Sequence, residues 1–429
     1  MRSLSVLLTS LCLIIYVGLL ASCGSTSNNS ASNTNNPSAG APGSSGGSSS
    51  GAGGSGSGSG GSGSAGSGSG SAGAGGGAGS GIVSYAYAAS TSAIAGYGVN
   101  SDGSLASLPG SPYAASLAQG AHVVTNGANV YAIANGNTNL DVFSIDKSTG
   151  ALTLANTTNA IAGDPAQGDI AFDLALDHTG VSLYGELGTN IDGGVNVFAV
   201  GSSPNAQQVQ FLSGASTPLA PEVFSPDNQY GYASKCGARV YGIFIWRRAS
   251  DGTLQAVNTN TAAPPPPTGN PGEAFCPQEL AVSAKGYLAI VWFPFAYAST
   301  GQVGNETYLL TYSINSNGTL TTVSNSQVKT ASTSGNTVPV SFDPSGGFLA
   351  VAGDGGVQTF ALNANGVLAP VSPPQNAGAN FQEVAWDNSN HVFAANNNQL
   401  YVFNSSTGVL TPAAGSPHAG GPQLTVLPR

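Results

Sequence analysis

The chain has 429 residues, of which only 7% are charged and 62 are glycine, and 19 acids outweigh nine Lys and Arg for a net charge of −10. Ordinary soluble domains carry about 25% charged residues. Nucleic-acid binding is excluded by the shortage of clustered cations that phosphate neutralisation needs, and a coiled coil or helical bundle by the missing Ala/Glu/Lys/Leu/Arg pattern.

Met1 and Arg2 place one positive charge before an apolar, uncharged run from Ser3 to Leu20. The run nearly reaches bilayer-spanning length, but it ends in Leu20-Ala21-Ser22-Cys23, which resembles the lipobox of bacterial lipoproteins. Small residues before the Cys suit a signal-peptidase pocket, and a charged start ahead of an apolar core suits a signal peptide. The resemblance implies that residues 1–22 are removed and that Cys23 is lipidated on its thiol and new amine. It also implies a bacterial cell-envelope location, outside the cytoplasm and anchored in a membrane. Several acyl chains would hold the protein firmly, each buried CH₂ contributing ~0.8 kcal/mol. The plainer alternative is an ordinary signal peptide or signal anchor with an incidental Cys.

Residues 23–81 then form the lipidated Cys and a linker. Positions 24–81 carry no charge and hold 22 of the 62 glycines, with Ser, Ala and Asn as most of the rest. Such a segment cannot bury enough apolar surface to offset chain entropy. As a flexible coil it has an r.m.s. span of about 40–45 Å, enough to hold a domain off a membrane surface.

Residues 82–429 read as one repeated unit. A strand with an apolar-aromatic-apolar core leads into a short polar turn that ends in Gly, followed by Leu. The phrase runs through Tyr97–Leu105, Val142–Leu152, Ile245–Leu254, Tyr312–Leu320, Phe360–Leu368 and Tyr401–Leu410, with a degenerate copy at Val195-Asn196-Val197-Phe198. From Gly103 to Gly408 the mean step is about 51 residues, within the period range of propeller blades. A second phrase opens the units: Phe224-Ser225-Pro226-Asp227-Asn228 before Tyr230, and Phe342-Asp343-Pro344-Ser345-Gly346 before Phe348. Each reads as a β-hairpin. Together the phrases predict four strands per unit with period-2 alternation. The first unit begins at its second strand, Tyr85-Ala86-Tyr87-Ala88, and the missing first strand stands at the other end as Pro422–Leu427. Pairing of the two removes open edges. The expectation is an all-β, seven-bladed β-propeller over 82–429, closed by its C-terminal strand.

The phrases FSPDNQYGYA, FSIDKSTGALT and LPGSPYAA resemble those of the lactonase-type seven-bladed propellers, the 6-phosphogluconolactonase and carboxy-muconate cycloisomerase group. The resemblance covers the whole of 82–429 and implies that fold and, as one option, hydrolysis or cycloisomerisation of a lactone. Strand and turn phrases specify fold rather than activity. Sugar-phosphate lactonases need cations to orient phosphate and carboxylate, and the domain has eight, none recurring at the inner-strand starts.

Chemistry is expected on the top face, where the loops entering each inner strand meet those between second and third strands. His122, Asp173, Glu222, Glu279 and Glu383 stand near inner-strand starts. Crowded carboxylates raise one another's pKa or recruit a cation, so this ring reads either as a catalytic or ligand site or as a solvated rim. For catalysis, Glu279, Glu222 or Glu383 would be the base toward water, and His122 would polarise the carbonyl. No cofactor is expected, calcium at the acidic mouth being the option. Asp173 and Arg239 are candidate ligand contacts.

With Cys23 as anchor, Cys236 and Cys276 fall on the top face of adjacent units, where a disulfide is permitted outside the cytoplasm; a reactive thiol pair is the rival. Trp292, Phe293, Phe295 and Tyr297, interrupted by Pro294, read either as a loop platform for sugars or a partner or as an extension of the core. The leading functional expectation is an anchored, non-catalytic propeller that binds an unknown small molecule, glycan or protein on its top face. The lactonase is the alternative, and a passive spacer the third.

Overall fold

The computed structural model describes residues 81–117, 122–133, 139–158, 170–188, 194–213, 222–236, 241–259, 273–296, 306–333 and 338–429. The signal peptide, Cys23, the tether, Arg239, the polyproline run 264–267 and Tyr297 lie outside the described residues.

The described residues form seven antiparallel sheets. Blade 1 runs outward from the axis as Gln423–Pro428, Ile82–Ala89, Ala93–Asn100 and Leu105–Ser107. Blades 2 to 7 begin with inner strands Val123–Thr125, Ile170–Leu176, Val223–Phe224, Glu273–Val282, Val340–Phe342 and Glu383–Trp386, each followed by three more strands in chain order. Three short extra strands, Tyr113–Ala114, Val328–Thr333 and His418–Ala419, pair with third strands and were not anticipated from the repeat.

The ring closes as the pattern requires. Val426 pairs with Ala86 and Leu424 with Ala88, so the C-terminal strand supplies the inner edge of the N-terminal blade. Both faces of a middle strand are covered by neighbouring blades, which is why Tyr85 to Ala89 are buried without interruption. Seven apolar clusters fill the seams between described blades. One joins Tyr184, Val195 and Val197 of blade 3 to Phe224, Trp246 and Leu254 of blade 4.

The recurring turn glycine has two physical causes. At Gly318 φ is +81, in the left-handed region that a Cβ disfavours, and an added Cβ would lie 2.3 Å from the Tyr230 ring of the preceding blade. The glycine carbonyl is also used. Tyr87 donates to Gly150 O at 2.8 Å, Tyr184 to Gly252 O at 2.9 Å and Tyr232 to Gly318 O at 3.1 Å. Thr311 and Thr359 donate in the same way to Gly366 O and Gly408 O. Each bond runs from one blade's second or third strand to the outer turn of the next. Burial pushes the hydroxyls of Tyr87 and Tyr232 well above the ordinary tyrosine range, so they remain donors.

Two seams carry buried charge. Arg248 pairs with Asp177 across the seam of blades 3 and 4, its side chain only 8% exposed. Its position explains this: it ends the third strand of blade 4 beside Tyr184 and Ser182 and bonds to both at 3.1 Å. At the closing seam Asp387 accepts from Ser84 Oγ at 2.8 Å and meets His391 Nδ1 at 2.7 Å. His391 is therefore a structural residue of the join between blades 7 and 1.

Candidate active site at the channel mouth

The hairpin register decides which inner-strand residues share a level. In each blade, one backbone N–H closes the turn after the inner strand: Asn126 to Asn129 O, Asp177 to Ser182 O, Ser225 to Tyr230 O, Ser283 to Tyr287 O, Asp343 to Phe348 O and Asp387 to His391 O. Four residues back in blades 2, 3, 5, 6 and 7 stand His122, Asp173, Glu279, Pro339 and Glu383. In blade 1 the matching residue is Gln423, opposite Ala89 as Glu383 is opposite Ala395. The inner strands of blades 7, 1, 2 and 3 touch in sequence. Glu383, Gln423 and His122 therefore stand at one level on contiguous inner strands at the channel mouth, Asp173 holds the same backbone level on the next strand, and Glu279 stands across from them.

Glu222 does not belong to this level. It stands three residues before its turn, where the other blades bury Leu174, Leu280, Val384 and Val123. Its Oε1 accepts from the backbone N–H and hydroxyl of Ser234, both at 2.8 Å, and Ser234 also reaches Gln278 O of blade 5 at 3.1 Å. The carboxylate is turned into the seam of blades 4 and 5, which removes it as a candidate base. One residue of slip changes the face of a strand, and here it separates one acid from the other four positions.

Two ring positions coincide with β-bulges. The blade 3 ladder slips between Gly185 and Leu187, opposite Phe172 and Asp173, and the blade 5 ladder slips between Pro277 and Leu280, at Gln278 and Glu279. Bulges re-aim side chains and are enriched beside functional sites. His122, Glu279 and Glu383 are half-buried and engaged in contacts, whereas Gln423 is 8% exposed with its Oε1 unpartnered. The side chain of Asp173 lies outside the described residues. Sequence reasoning missed Gln423 because an amide draws no attention as an acid would, although its place after Pro422 matched Gln278 after Pro277.

Among the described residues no three His, Cys, Asp or Glu stand close enough to hold a metal ion. The calcium option gains no support there.

The aromatic platform is corrected. The second strand of blade 5 spans Tyr287–Ala296, so Trp292, Phe293 and Phe295 sit in a strand and not on a loop. Trp292 is fully buried, opposite Pro277 and Tyr308, and packs with Tyr232, Ile243 and Phe275 in the core of blades 4 and 5. The inner strand starts early, at Glu273, and carries the ladder past both prolines up to the Ala296 pair. Phe293 is half-buried, and the Phe295 side chain lies outside the described residues. Cys276 is buried opposite Phe293 on that same inner strand, and Cys236 ends the second strand of blade 4, so the two do fall on adjacent blades at the top.

No family model matches the chain, and no curated protein matches it. Solved structures do. A candidate 6-phosphogluconolactonase from Bacteroides uniformis shares 19% identity at a TM-score of 0.59, covering 81% of this chain and 99% of that one. A second, from Bacteroides fragilis, shares 15% at 0.56, covering 81% and 98%. The periplasmic gluconolactonase PpgL of Pseudomonas aeruginosa shares 19% at 0.56, covering 81% and 99%. The chain therefore has the fold of the lactonase-type seven-bladed β-propellers.

Proposed function

We propose that this protein is a lactone hydrolase of the bacterial cell envelope, tethered to a membrane through lipidated Cys23, whose reaction takes place at the channel mouth. The observation that carries the reading is the arc of Glu383, Gln423, His122 and Asp173 on contiguous inner strands. It puts carboxylates, an imidazole and a carboxamide at one level. A carboxylate takes a proton from water as the oxygen attacks the lactone carbonyl carbon. Gln423 and His122 donate to the carbonyl oxygen as it gains charge. The ring C–O bond breaks, and the departing alkoxide takes up the proton to give the open hydroxy acid.

The substrate is a lactone without phosphate. Among the described residues no Lys or Arg opens an inner strand; Arg248 is committed to Asp177, and Lys329 to Glu306. The neighbour from Pseudomonas aeruginosa is a periplasmic gluconolactonase, which supports both an unphosphorylated substrate and an extracytoplasmic site. Trp292 is buried in the core, so the binding alternative gains no support from that residue. A Cys236–Cys276 bridge pins the blade 4–5 hairpins beside this mouth, a reading supported by the two residues' places on adjacent blades.

The test is hydrolysis of δ-gluconolactone, γ-butyrolactone and a homoserine lactone by the full-length chain, against Glu383→Gln and His122→Asn. Loss of general-base or electrophilic help lowers kcat by about 10²–10⁴. A wild type no faster than spontaneous hydrolysis on every lactone refutes the reading.

A further inference from the structure

The top of blade 7 departs from the repeat, and blade 1 supplies the comparison. Gly110-Ser111-Pro112-Tyr113 in blade 1 and Gly415-Ser416-Pro417-His418 in blade 7 occupy equivalent places. Ser111 Oγ accepts from Gly96 N–H and Ser416 Oγ from Val402 N–H, both at 2.9 Å. Tyr113–Ala114 pairs with Ala93 and Ile94, as His418–Ala419 pairs with Gln399 and Leu400. In blade 1 the site is sealed: Tyr113 is 9% exposed and donates its hydroxyl to Pro109 O at 3.0 Å. In blade 7 the shorter imidazole leaves its Nε2 buried without a partner.

The facing turn changes in step. Ser90-Thr91-Ser92-Ala93 of blade 1 becomes Asn396-Asn397-Asn398-Gln399 in blade 7, with the same closing bond from the first N–H to the fourth C=O. An open groove of about 660 Å³ results, lined by these four residues with Asn380 and His418. Asn396 is spent on structure: its Oδ1 accepts the Asn398 and Gln399 N–H groups, and its Nδ2 donates to Ala379 O. Gln399 Oε1 takes the Tyr401 hydroxyl at 2.8 Å, which leaves its NH₂ as a donor. Asn397 and Asn398 are exposed. Asn380 Oδ1, like His418 Nε2, is buried and unpartnered.

We propose that this groove, at the top of blade 7 beside the strand that carries Glu383, binds a neutral saccharide, independently of the lactonase reading. Among the described residues no Asp, Glu, Lys or Arg lines it, so a charged ligand would lose its hydration without gaining a counter-ion. Two bare acceptors and several free NH₂ donors match hydroxyls, each of which both gives and accepts a hydrogen bond. The volume suits a mono- or disaccharide. Burial holds His418 below the ordinary histidine range, so its ring is uncharged at neutral pH, and Tyr97 packs against it at 5.7 Å between ring centres.

The experiment is calorimetric titration of the full-length chain with glucose, N-acetylglucosamine and cellobiose, with glucuronate and a neutral tripeptide as competitors of other chemistry. His418→Tyr restores the blade 1 residue and fills the groove. It raises the Kd of the neutral sugars by at least about tenfold while Tm and lactone hydrolysis hold. Should that variant misfold, Asn397→Ala, at an exposed position, gives the same readout with a weakening of about fivefold. The proposal is overturned if the wild type binds no neutral sugar, if it prefers glucuronate or the tripeptide, or if folded variants bind as tightly as the wild type.

Discussion

Gly318→Ala isolates the contact that joins one blade to the next. At φ +81 a side chain costs about 1–2 kcal/mol by conformation alone. The new Cβ would also stand 2.3 Å from Tyr230 Cδ1, with two further ring atoms at 2.6 and 2.7 Å, so the half-buried ring or the turn must shift. Overpacking of this kind adds about 1–3 kcal/mol. A shifted turn stretches the Tyr232 bond to Gly318 O, now 3.1 Å, at a further cost of about 1 kcal/mol. Together these give about 3–6 kcal/mol. Gly286→Ala is the control: its φ is +83, yet nothing lies within 4 Å of an added Cβ. It carries only the conformational cost, about 1–2 kcal/mol. Urea unfolding followed by tryptophan fluorescence, compared at matched slopes, measures both. Equal destabilisation by the two substitutions refutes the reasoning, because the inter-blade approach would then contribute nothing.

Asp387→Asn tests the closing seam. Burial alone would raise this carboxyl, but the bonds from His391 and Ser84 outweigh it and hold the group below 3.8. A depressed carboxylate stabilises the fold in full above its unfolded pKa and loses that contribution as pH falls through the folded value. The variant is destabilised at pH 7 by about 3–5 kcal/mol, and its stability falls less steeply than wild type below pH 3.8 in a pH series of thermal melts. Trp292→Ala empties a fully buried site and costs about 3–5 kcal/mol, read as a drop in Tm; an unchanged Tm would return Trp292 to the surface. Removing residues 423–429 bares the edge of Ile82–Ala89, and gel filtration then shows association or aggregation in place of a single sharp species. A monodisperse, cooperatively melting truncate would contradict the closure.

The ring was legible because its signals are local and repeated. Turn glycines, hairpin phrases and the split first blade each follow from backbone geometry, and Val426 does lie against Ala86. The polar level at the mouth was legible in part. His122, Asp173, Glu279 and Glu383 were found, but Glu222 was placed with them although its register differs by one. Alternation cannot set phase where a strand is as short as Val223–Phe224. Trp292 was left open between a loop and the core for a related reason: Pro294 suggests a loop, but the ladder runs on through it and Trp292 joins the core. The pairing of Arg248 was not legible, because its partner Asp177 lies 71 positions earlier in the chain, beyond any local pattern. The blade 7 groove depends on which repeat positions face one another, which no single stretch of sequence around His418 reveals.

The pairing of Gln423–Pro428 with Ser84–Ala89 sets an order of events during synthesis. A ribosome releases the strand that seals the structure after all the other strands of the ring, so blade 1 waits without its inner strand while the other six blades are made. Exposed hydrogen-bonding groups on Ile82–Ala89 invite wrong partners throughout that interval. Keeping the chain unassembled until its final residues are available, as happens when a polypeptide crosses a membrane in extended form, shortens this period of risk.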